Sequence, residues 1–171
     1  IEGLQEFLNS MGAKIKGAGT DIIVIEGVEK LHSAHYKAIP DRIEAGTYMI
    51  GAAITGGEIY IKNAKKDIMI QTVMRLCEAG CYVKTDKNGI LVKAPKKIKN
   101  IGLVKTMPYP GFPTDMQPQM MALLTLARGT SIIIETVFEG RFNHITELNK
   151  MGADITFSGN TAIINGVNSL K

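Results

Sequence analysis

The fold is decided by a short stretch of sequence that occurs three times. Residues 148–155 read Leu-Asn-Lys-Met-Gly-Ala-Asp-Ile, residues 8–15 read Leu-Asn-Ser-Met-Gly-Ala-Lys-Ile, and residues 76–83 read Leu-Cys-Glu-Ala-Gly-Cys-Tyr-Val. Their glycines, Gly12, Gly80 and Gly152, are separated by 68 and 72 residues. In each copy an amphipathic helical pattern ends at glycine, which readily takes the left-handed conformation at a helix end, and a short alternating strand follows. Repetition at a fixed period predicts a structure assembled from similar units.

Each copy continues into a second strand. These strands are predicted at residues 22–26, 90–93 and 162–165, and the last two follow hairpin signals at residues 86–89 (Asp-Lys-Asn-Gly) and 158–160 (Ser-Gly-Asn). A polar turn rich in Gly and Asn between two short β-rich segments indicates antiparallel pairing. We therefore expect the end of every copy to be a β-hairpin.

The second and third copies also extend toward the N-terminus. Helical patterns at residues 41–55 and 115–128 lead through Gly57 and Gly129, again 72 residues apart, into predicted strands at 58–62 and 130–135. One complete repeat is thus helix, strand, helix, strand, strand. This order predicts a layered α/β (α+β) domain whose repeated units share sheets and pack their helices together.

Composition places the chain among ordinary globular proteins. Of its 171 residues, 45% are hydrophobic and 21% are charged, which argues against disorder. No apolar stretch approaches the roughly 20 residues that cross a bilayer, and the first seven residues include two glutamates, so we expect neither a membrane span nor a signal peptide. Cys77 and Cys81 fit neither a disulfide framework nor a zinc site, and we expect buried thiols in the cytoplasm.

Positive charge is concentrated in the middle of the chain. Residues 62–105 contain eleven Lys or Arg and three acidic residues, a net charge of +8 in a chain whose total is +4. Such a stretch can bind nucleic acid or an anionic metabolite, or it can be a solvated face. Only Tyr82 interleaves with these basic residues, which gives little support for stacking on bases and favours the solvated face.

A proline-rich segment is the first candidate for chemistry. Residues 107–117 read Met-Pro-Tyr-Pro-Gly-Phe-Pro-Thr-Asp-Met-Gln. Thr114 and Gln117 have the spacing of a capping box, which places Asp115 in the first turn of the following helix, where the helix dipole favours a carboxylate. Asp115 is therefore either part of a site or an ordinary acidic residue at a helix start. We expect the methionines at 116, 120 and 121 to lie in the core.

Two further segments carry charged residues next to helix starts. Residues 39–47 read Ile-Pro-Asp-Arg-Ile-Glu-Ala-Gly-Thr, in which Asp41 opens a helix and can serve as its cap. Residues 135–144 read Glu-Thr-Val-Phe-Glu-Gly-Arg-Phe-Asn-His and form a loop between a strand and a helix. Such loops often bind ligands, although a salt bridge between Glu139 and Arg141 explains these charges equally well. His144 is interpreted as a packing or surface residue, and no metal site is expected.

In these three segments the chain resembles the UDP-N-acetylglucosamine enolpyruvyl transferases (1-carboxyvinyltransferases). The strings at 39–47, 108–117 and 135–144 occur in that family's order, and similarity extends from Gly3 to Leu170. The resemblance implies two similar domains, each built from three βαβαββ units as an inside-out α/β barrel (α-β prism), with the active site in the cleft between them. It places residues 1–39 at the end of the first domain and residues 40–171 in most of the second.

The resemblance also implies the chemistry and its residues. The 3-hydroxyl of UDP-N-acetylglucosamine adds to phosphoenolpyruvate, and the adduct loses phosphate, in the first committed step of peptidoglycan synthesis. Asp115 matches the general base that contacts the sugar hydroxyl, Val137 matches a position that lines the UDP-sugar site, and Arg141 and Asp41 match charged residues near the cleft. The two substrates are the only partners implied, without a cofactor, nucleic acid or membrane.

Much of that family's active site has no counterpart here. The chain lacks the N-terminal Lys-Asn pair, the Arg-bearing strings that hold phosphoenolpyruvate, the loop with the reactive cysteine and a C-terminal arginine. Neither Cys77 nor Cys81 lies in a matching context. We therefore expect a central fragment, with the rest of the parent chain missing, that is inactive alone. The rival hypothesis is a noncatalytic α/β repeat module that binds nucleic acid or another anion through residues 62–105.

Overall fold

The computed structural model describes residues 1–171, which form two compact units, Ile1–Ile39 and Pro40–Lys171. The assignment of these units to successive domains of an enolpyruvyl transferase stays a prediction. No helix combines the length and the apolar character that crossing a membrane requires.

The first unit contains one helix and one hairpin. Helix α1 spans Glu2–Ser10, and strands β1 (Lys14–Lys16) and β2 (Val24–Glu26) pair antiparallel. Gly12 has a φ of 96°, as expected for the residue that ends the helix. The Asn9 side chain then fixes the strand to the helix end, because its Oδ1 accepts from the Ile15 N–H at 2.9 Å and its Nδ2 donates to the Ile15 carbonyl at 2.8 Å.

The second unit contains two copies of the repeat. The first copy comprises α2 (Arg42–Ile54), β3 (Glu58–Lys62), a 3-10 turn at Lys66–Ile68, α3 (Ile70–Glu78), β4 (Tyr82–Asp86) and β5 (Gly89–Lys93). Its strands form an antiparallel sheet in the order β3-β5-β4. The turn between β4 and β5 is the predicted hairpin, and Asp86 Oδ1 accepts from the N–H groups of Asn88 and Gly89.

The second copy has the same order of α-helices and strands with one additional strand, and its 3-10 turn precedes the first helix. It comprises β6 (Leu103–Lys105), a 3-10 turn at Thr114–Met116, α4 (Gln117–Leu124), β7 (Thr130–Ile134), α5 (His144–Lys150), β8 (Asp154–Ser158) and β9 (Thr161–Asn165). The sheet order is β6-β7-β9-β8, in which β6 is parallel to β7 and the other pairs are antiparallel.

The predicted repeat is confirmed down to its strand register. Glu58 lies opposite Lys93 in one sheet, and Thr130 lies opposite Asn165 in the other, so both partners are shifted by 72 residues. Gly80 and Gly152 both have a φ of 94°. The two predicted helices pair across the unit, because Gln119 Nε2 on α4 donates to Thr47 Oγ1 on α2 at 3.0 Å, and these two residues are also 72 apart. Equivalent helices therefore pack face to face.

Buried side chains of the helices and of the inner sheet faces make one core in this unit. The predicted core methionines Met116, Met120 and Met121 are fully buried. A Cβ added at Gly46 of α2 would lie 2.8 Å from Met116 Cε. The missing side chain at Gly46 thus lets Met116, the residue after Asp115, pack directly against α2.

Some predicted boundaries were wrong. The helix expected over 115–128 begins as a 3-10 turn and its α-helical part ends at Leu124. After α2 the left-handed φ occurs at Gly56, with 74°, and after α4 it occurs at Gly129, with 95°. The short strand β6 was not predicted, since three residues give too little alternation to be recognised.

The cysteine prediction was half right. Cys81 is buried, and burial first, with Cys77 second, raises the pKa of its thiol to about 11. Cys77, however, is exposed. It occupies the position at which the other two copies have Asn9 and Asn149, whose side chains bond across the helix end to the following strand. That position therefore does not face the core.

Candidate functional site

The proline-rich segment leads into the 3-10 turn that carries Asp115. The predicted capping box was wrong, because Thr114 Oγ1 donates to Glu135 Oε2 at 2.8 Å and does not cap the helix. Gln117 is fully buried, and its amide makes no hydrogen bond within the chain. A buried carboxylate needs donors more strongly than a helix end that solvent can reach, which explains why the hydroxyl turns to Glu135.

Asp115 and Arg141 form an ion pair between two segments distant in sequence. Arg141 Nη2 donates to Asp115 Oδ1 at 2.6 Å, and the Arg141 guanidinium lies 5.1 Å from the centre of the Phe138 ring. The predicted alternative of a Glu139–Arg141 salt bridge was wrong. Although Glu139 lies only two residues before Arg141, the loop directs the Arg141 guanidinium toward Asp115 in the 3-10 turn.

This pair remains accessible to ligands. The side chain of Asp115 is 53% exposed and that of Arg141 is 33% exposed. Ion pairs with this much solvent contact contribute only about 0–1 kcal/mol to stability. The arrangement therefore fits a functional carboxylate oriented by a guanidinium better than a device that stabilises the fold.

Glu135 lies buried beneath this pair, at the end of β7, and only 2% of its surface is exposed. Its Oε1 accepts from Thr106 Oγ1 at 2.8 Å and from the N–H groups of Val137 and Phe138 at 2.9 and 3.2 Å. Its Oε2 accepts from Thr114 Oγ1. Four neutral donors thus surround one carboxylate, which forms no salt bridge.

These donors decide the charge of Glu135. Burial is the largest single influence and by itself raises the pKa of Glu135. The hydrogen bonds from Thr114, Val137, Thr106 and Phe138 act in the opposite direction and together hold the pKa below the usual glutamate value of 4.5. Glu135 is therefore ionised in the folded protein at neutral pH.

We predict that this carboxylate makes stability depend on acid pH. Because the folded pKa lies below the unfolded value of 4.5, its contribution is complete above pH 4.5 and is lost as the pH falls through the folded pKa. Glu135→Gln should remove that part of the slope of the unfolding free energy against pH. Urea unfolding at several pH values between about 7 and 3 measures this slope. An identical slope in the parent and the variant would contradict the prediction.

The structure brings some of the predicted site residues together and leaves one apart. Val137 is half-buried and lies in the same loop as Arg141, with its N–H bound to Glu135. Asp41 is exposed and caps α2, since its Oδ1 accepts from the N–H groups of Ile43 at 2.7 Å and Glu44 at 3.3 Å. No hydrogen bond joins Asp41 to Asp115, Val137 or Arg141.

A pocket nevertheless links the region of Asp41 to the proline-rich segment. Its lining includes Arg42, the residue after Asp41, together with Tyr109, Pro110 and Pro113. Tyr109, within the proline-rich segment, is 74% exposed. The start of α2 and the segment that leads to Asp115 are therefore neighbours in the folded unit.

His144 begins α5 next to this loop. Burial, and after it the positive charge of Arg141, lowers the pKa of His144 below its usual value of 6.5. The ring packs edge-on against Phe142 with centroids 6.4 Å apart, and its Nε2 has no hydrogen-bond partner. It is therefore a neutral, half-buried histidine at neutral pH, as the packing interpretation predicts.

Sequence reasoning missed Glu135, Thr106 and Phe138. A signal for Glu135 was present, because an acidic residue directly follows the apolar strand Ser-Ile-Ile-Ile at 131–134. Buried acidic residues at such places require partners. Its two hydroxyl partners, Thr106 and Thr114, lie 29 and 21 residues earlier, and a local sequence pattern could not identify them.

Comparison with known proteins decides the family. The model of the EPSP synthase (3-phosphoshikimate 1-carboxyvinyltransferase) family matches residues 1–171. The chain belongs to this family. Among curated members it is 54% identical over 170 residues to UDP-N-acetylglucosamine 1-carboxyvinyltransferase 1 of Caldanaerobacter subterraneus subsp. tengcongensis. It is 53% identical over 172 residues to UDP-N-acetylglucosamine 1-carboxyvinyltransferase 2 of Carboxydothermus hydrogenoformans. In both cases 99% of this chain matches 41% of the relative.

Two solved structures share the fold of this chain. The enolpyruvyl transferase NikO from Streptomyces tendae superposes with a TM-score of 0.82 at 24% identity, over 97% of this chain and 40% of that one. EPSP synthase from Acinetobacter baumannii gives 0.72 at 22% identity, over 96% and 40%. The predicted enolpyruvyl transferase fold is thereby confirmed. Within residues 40–171 the strands form two sheets, of three and four strands, and no closed barrel.

Proposed function

We propose that this chain is the central part of an enzyme that transfers the enolpyruvyl group of phosphoenolpyruvate to the 3-hydroxyl of UDP-N-acetylglucosamine. The observation that carries the proposal is the identity of 51–54% to curated enzymes with that name, over essentially the whole chain. The chain spans about two fifths of their length. Residues 1–39 would complete the first domain of the enzyme, and residues 40–171 would make up most of the second.

In the proposed reaction Asp115 is the general base. A sugar hydroxyl is a weak nucleophile at neutral pH, so a positioned carboxylate that accepts its proton assists the attack on phosphoenolpyruvate. The methylene carbon of phosphoenolpyruvate takes up a proton in this addition, and the adduct then loses that proton together with phosphate to give the enolpyruvyl ether. Asp115 suits this role because its carboxylate is exposed and its orientation is set by Arg141.

The other proposed roles concern binding. Val137 would line the UDP-sugar site, and Arg141 would hold Asp115 in the orientation that the hydroxyl requires. Asp41 would contribute charge at the edge of the cleft, in addition to capping α2. The enzyme would act in the cytoplasm, and its product would feed peptidoglycan synthesis and hence cell-wall biogenesis, cell shape and division.

Binding of nucleic acid through residues 62–105 is not favoured. The ten lysines of this stretch are all exposed and are distributed over turns, strands and connections. The one arginine, Arg75, is paired with Glu78 at 2.7 Å. This distribution is typical of a solvated surface.

The test is an assay of the protein encoded by the complete reading frame. We expect phosphate release that requires both phosphoenolpyruvate and UDP-N-acetylglucosamine. Shikimate 3-phosphate is the matched alternative acceptor, because the family is described as 3-phosphoshikimate 1-carboxyvinyltransferase. Turnover with shikimate 3-phosphate and none with UDP-N-acetylglucosamine would contradict the proposal.

A further inference from the structure

We propose that Glu135 is a positioning residue of the transfer reaction, which fixes the segment that carries Asp115 against the loop that carries Val137 and Arg141. This inference rests on the proposed function and adds a residue to the same site. Only 2% of the Glu135 surface is exposed, so Glu135 acts through its neighbours.

The first argument is geometric. One oxygen of Glu135 binds the hydroxyl of Thr114, the residue immediately before Asp115. The other oxygen binds the N–H groups of Val137 and Phe138, and the Phe138 ring supports the Arg141 guanidinium. The Glu135 carboxylate is therefore hydrogen-bonded both to the residue that precedes Asp115 and to the backbone of the loop that carries Arg141.

The second argument comes from the repeat. The equivalent of Glu135 in the first copy is Asn63, 72 residues earlier. Asn63 donates its N–H to the Asn88 carbonyl at 2.7 Å, and Glu135 donates its N–H to the Asn160 carbonyl at 2.8 Å, so the two positions occupy the same place in their sheets. Asn63 is exposed, however, and has a φ of 62°. The first copy of the repeat thus folds without a buried acid at this position.

The ion pair is restricted to the second copy in the same way. The residues 72 positions before Thr114, Asp115 and Arg141 are Arg42, Ile43 and Met69, which cannot form this arrangement. The second copy therefore has both the buried carboxylate of Glu135 and the Asp115–Arg141 ion pair, and the first copy has neither. This association is expected if Glu135 serves the pair, and it is not expected if Glu135 serves the sheet.

The third argument is energetic. Transferring a carboxylate from water into a protein interior is unfavourable, and an apolar side chain of similar size often stabilises such a position better. Glu135 has neutral donors only, so no salt bridge offsets the loss of hydration. What the carboxylate provides is direction, because it fixes two hydroxyl groups and two backbone N–H groups at once.

The test uses variants of the full-length protein. Glu135→Ala removes all four bonds and should lower kcat by about 100-fold, the usual consequence of displacing a catalytic group by about 1 Å. The KM for UDP-N-acetylglucosamine should change by less than about fivefold, since a misplaced base weakens stabilisation of the transition state more than ground-state binding. Glu135→Gln should retain kcat within about fivefold, because its amide oxygen accepts from the backbone and its NH2 group can donate to the Thr114 hydroxyl.

Two threonines provide a matched pair. Thr106 and Thr114 each donate to the Glu135 carboxylate at 2.8 Å, but only Thr114 adjoins Asp115. We expect Thr114→Val to lower kcat by about tenfold or more. Thr106→Val should lower it by less, because the Thr106 hydroxyl is bonded to Glu135 and to the Thr136 N–H but not to the turn that carries Asp115. Equal effects of the two substitutions would overturn the proposal.

A core variant separates positioning from simple loss of stability. Ile133→Val removes one methylene from a fully buried side chain of the same strand and should leave kcat unchanged when the protein is folded at the assay temperature. A fall in kcat of Glu135→Ala no larger than that of Ile133→Val, or a failure of Glu135→Gln to restore kcat, would overturn the proposal. If Glu135→Ala does not fold, Glu135→Gln and the threonine pair decide the question.

Crystal structures make the test independent of the reaction. In Glu135→Ala or Thr114→Val we expect the distance between Asp115 Oδ1 and Arg141 Nη2, 2.6 Å here, to leave hydrogen-bond range. An unchanged pair would overturn the positioning role even in an active enzyme. A parent protein with no transferase activity would refute the proposed function alone, and these distances would still decide the role of Glu135.

Discussion

Substituting Asn for Asp115 in the full-length protein is expected to lower kcat by about 10²- to 10⁴-fold, the range that a positioned general base contributes. The amide has the size of the carboxylate but cannot accept the proton of the sugar hydroxyl. Its oxygen can still accept the hydrogen bond from Arg141, so the geometry of the pair should persist. The rate therefore reports loss of the proton acceptor and not loss of the pair.

The fold should hardly respond to this change. Asp115 makes no capping hydrogen bond, its side chain is half exposed, and exposed ion pairs contribute about 0–1 kcal/mol. UDP-N-acetylglucosamine should also bind nearly as tightly, because one hydrogen bond to the hydroxyl is a small part of its contacts. Calorimetric binding and urea unfolding would measure these two quantities.

Glu139→Gln is the matched control for charge. Glu139 is exposed in the loop that carries Arg141 and forms no ion pair, so its substitution removes one negative charge near the site without removing the proposed base. Steady-state kinetics should show little change for this control. If Asp115→Asn retained a rate within about threefold of the parent, far less than the usual effect of losing a general base, Asp115 would have only a structural role.

The repeated architecture could be predicted because its signals are local. Gly80 and Gly152 end their helices through backbone conformations that glycine adopts most readily, and each spacing from helix to glycine to strand is read within eight residues. The hairpin at Asp86 depends on bonds to residues only two and three positions away. Patterns confined to a few neighbouring residues can be recognised without knowledge of tertiary contacts.

The contacts of the site could not be predicted because they are long-range. Thr114 matches a local capping pattern, yet its hydroxyl bonds to Glu135, 21 residues later. Arg141 has Glu139 close by in sequence, yet it pairs with Asp115, 26 residues earlier. In both cases a partner that the folded chain brings near competes successfully with a local one, and sequence pattern contains no information about that competition.

The isolated chain of 171 residues is expected to show no measurable enolpyruvyl transfer. Phosphoenolpyruvate carries a carboxylate and a phosphate, and binding both in a reactive orientation requires several cationic or backbone donors at fixed positions. In the described site Arg141 is already bonded to Asp115, and the Arg-bearing strings expected from the resemblance to hold phosphoenolpyruvate are not in this chain. The chain also matches only 41% of its curated relatives.

Phosphate release by the purified chain would measure this, with the full-length protein assayed beside it at equal concentration. A mock preparation from the same host, without the expressed protein, is the control for contaminating host enzyme. Circular dichroism should establish that the chain is folded, so that inactivity reflects missing ligands for phosphoenolpyruvate and not loss of the fold. Turnover by the chain above that background would mean that its own basic residues bind phosphoenolpyruvate, and Arg42 beside the pocket at Tyr109 would be the first to substitute.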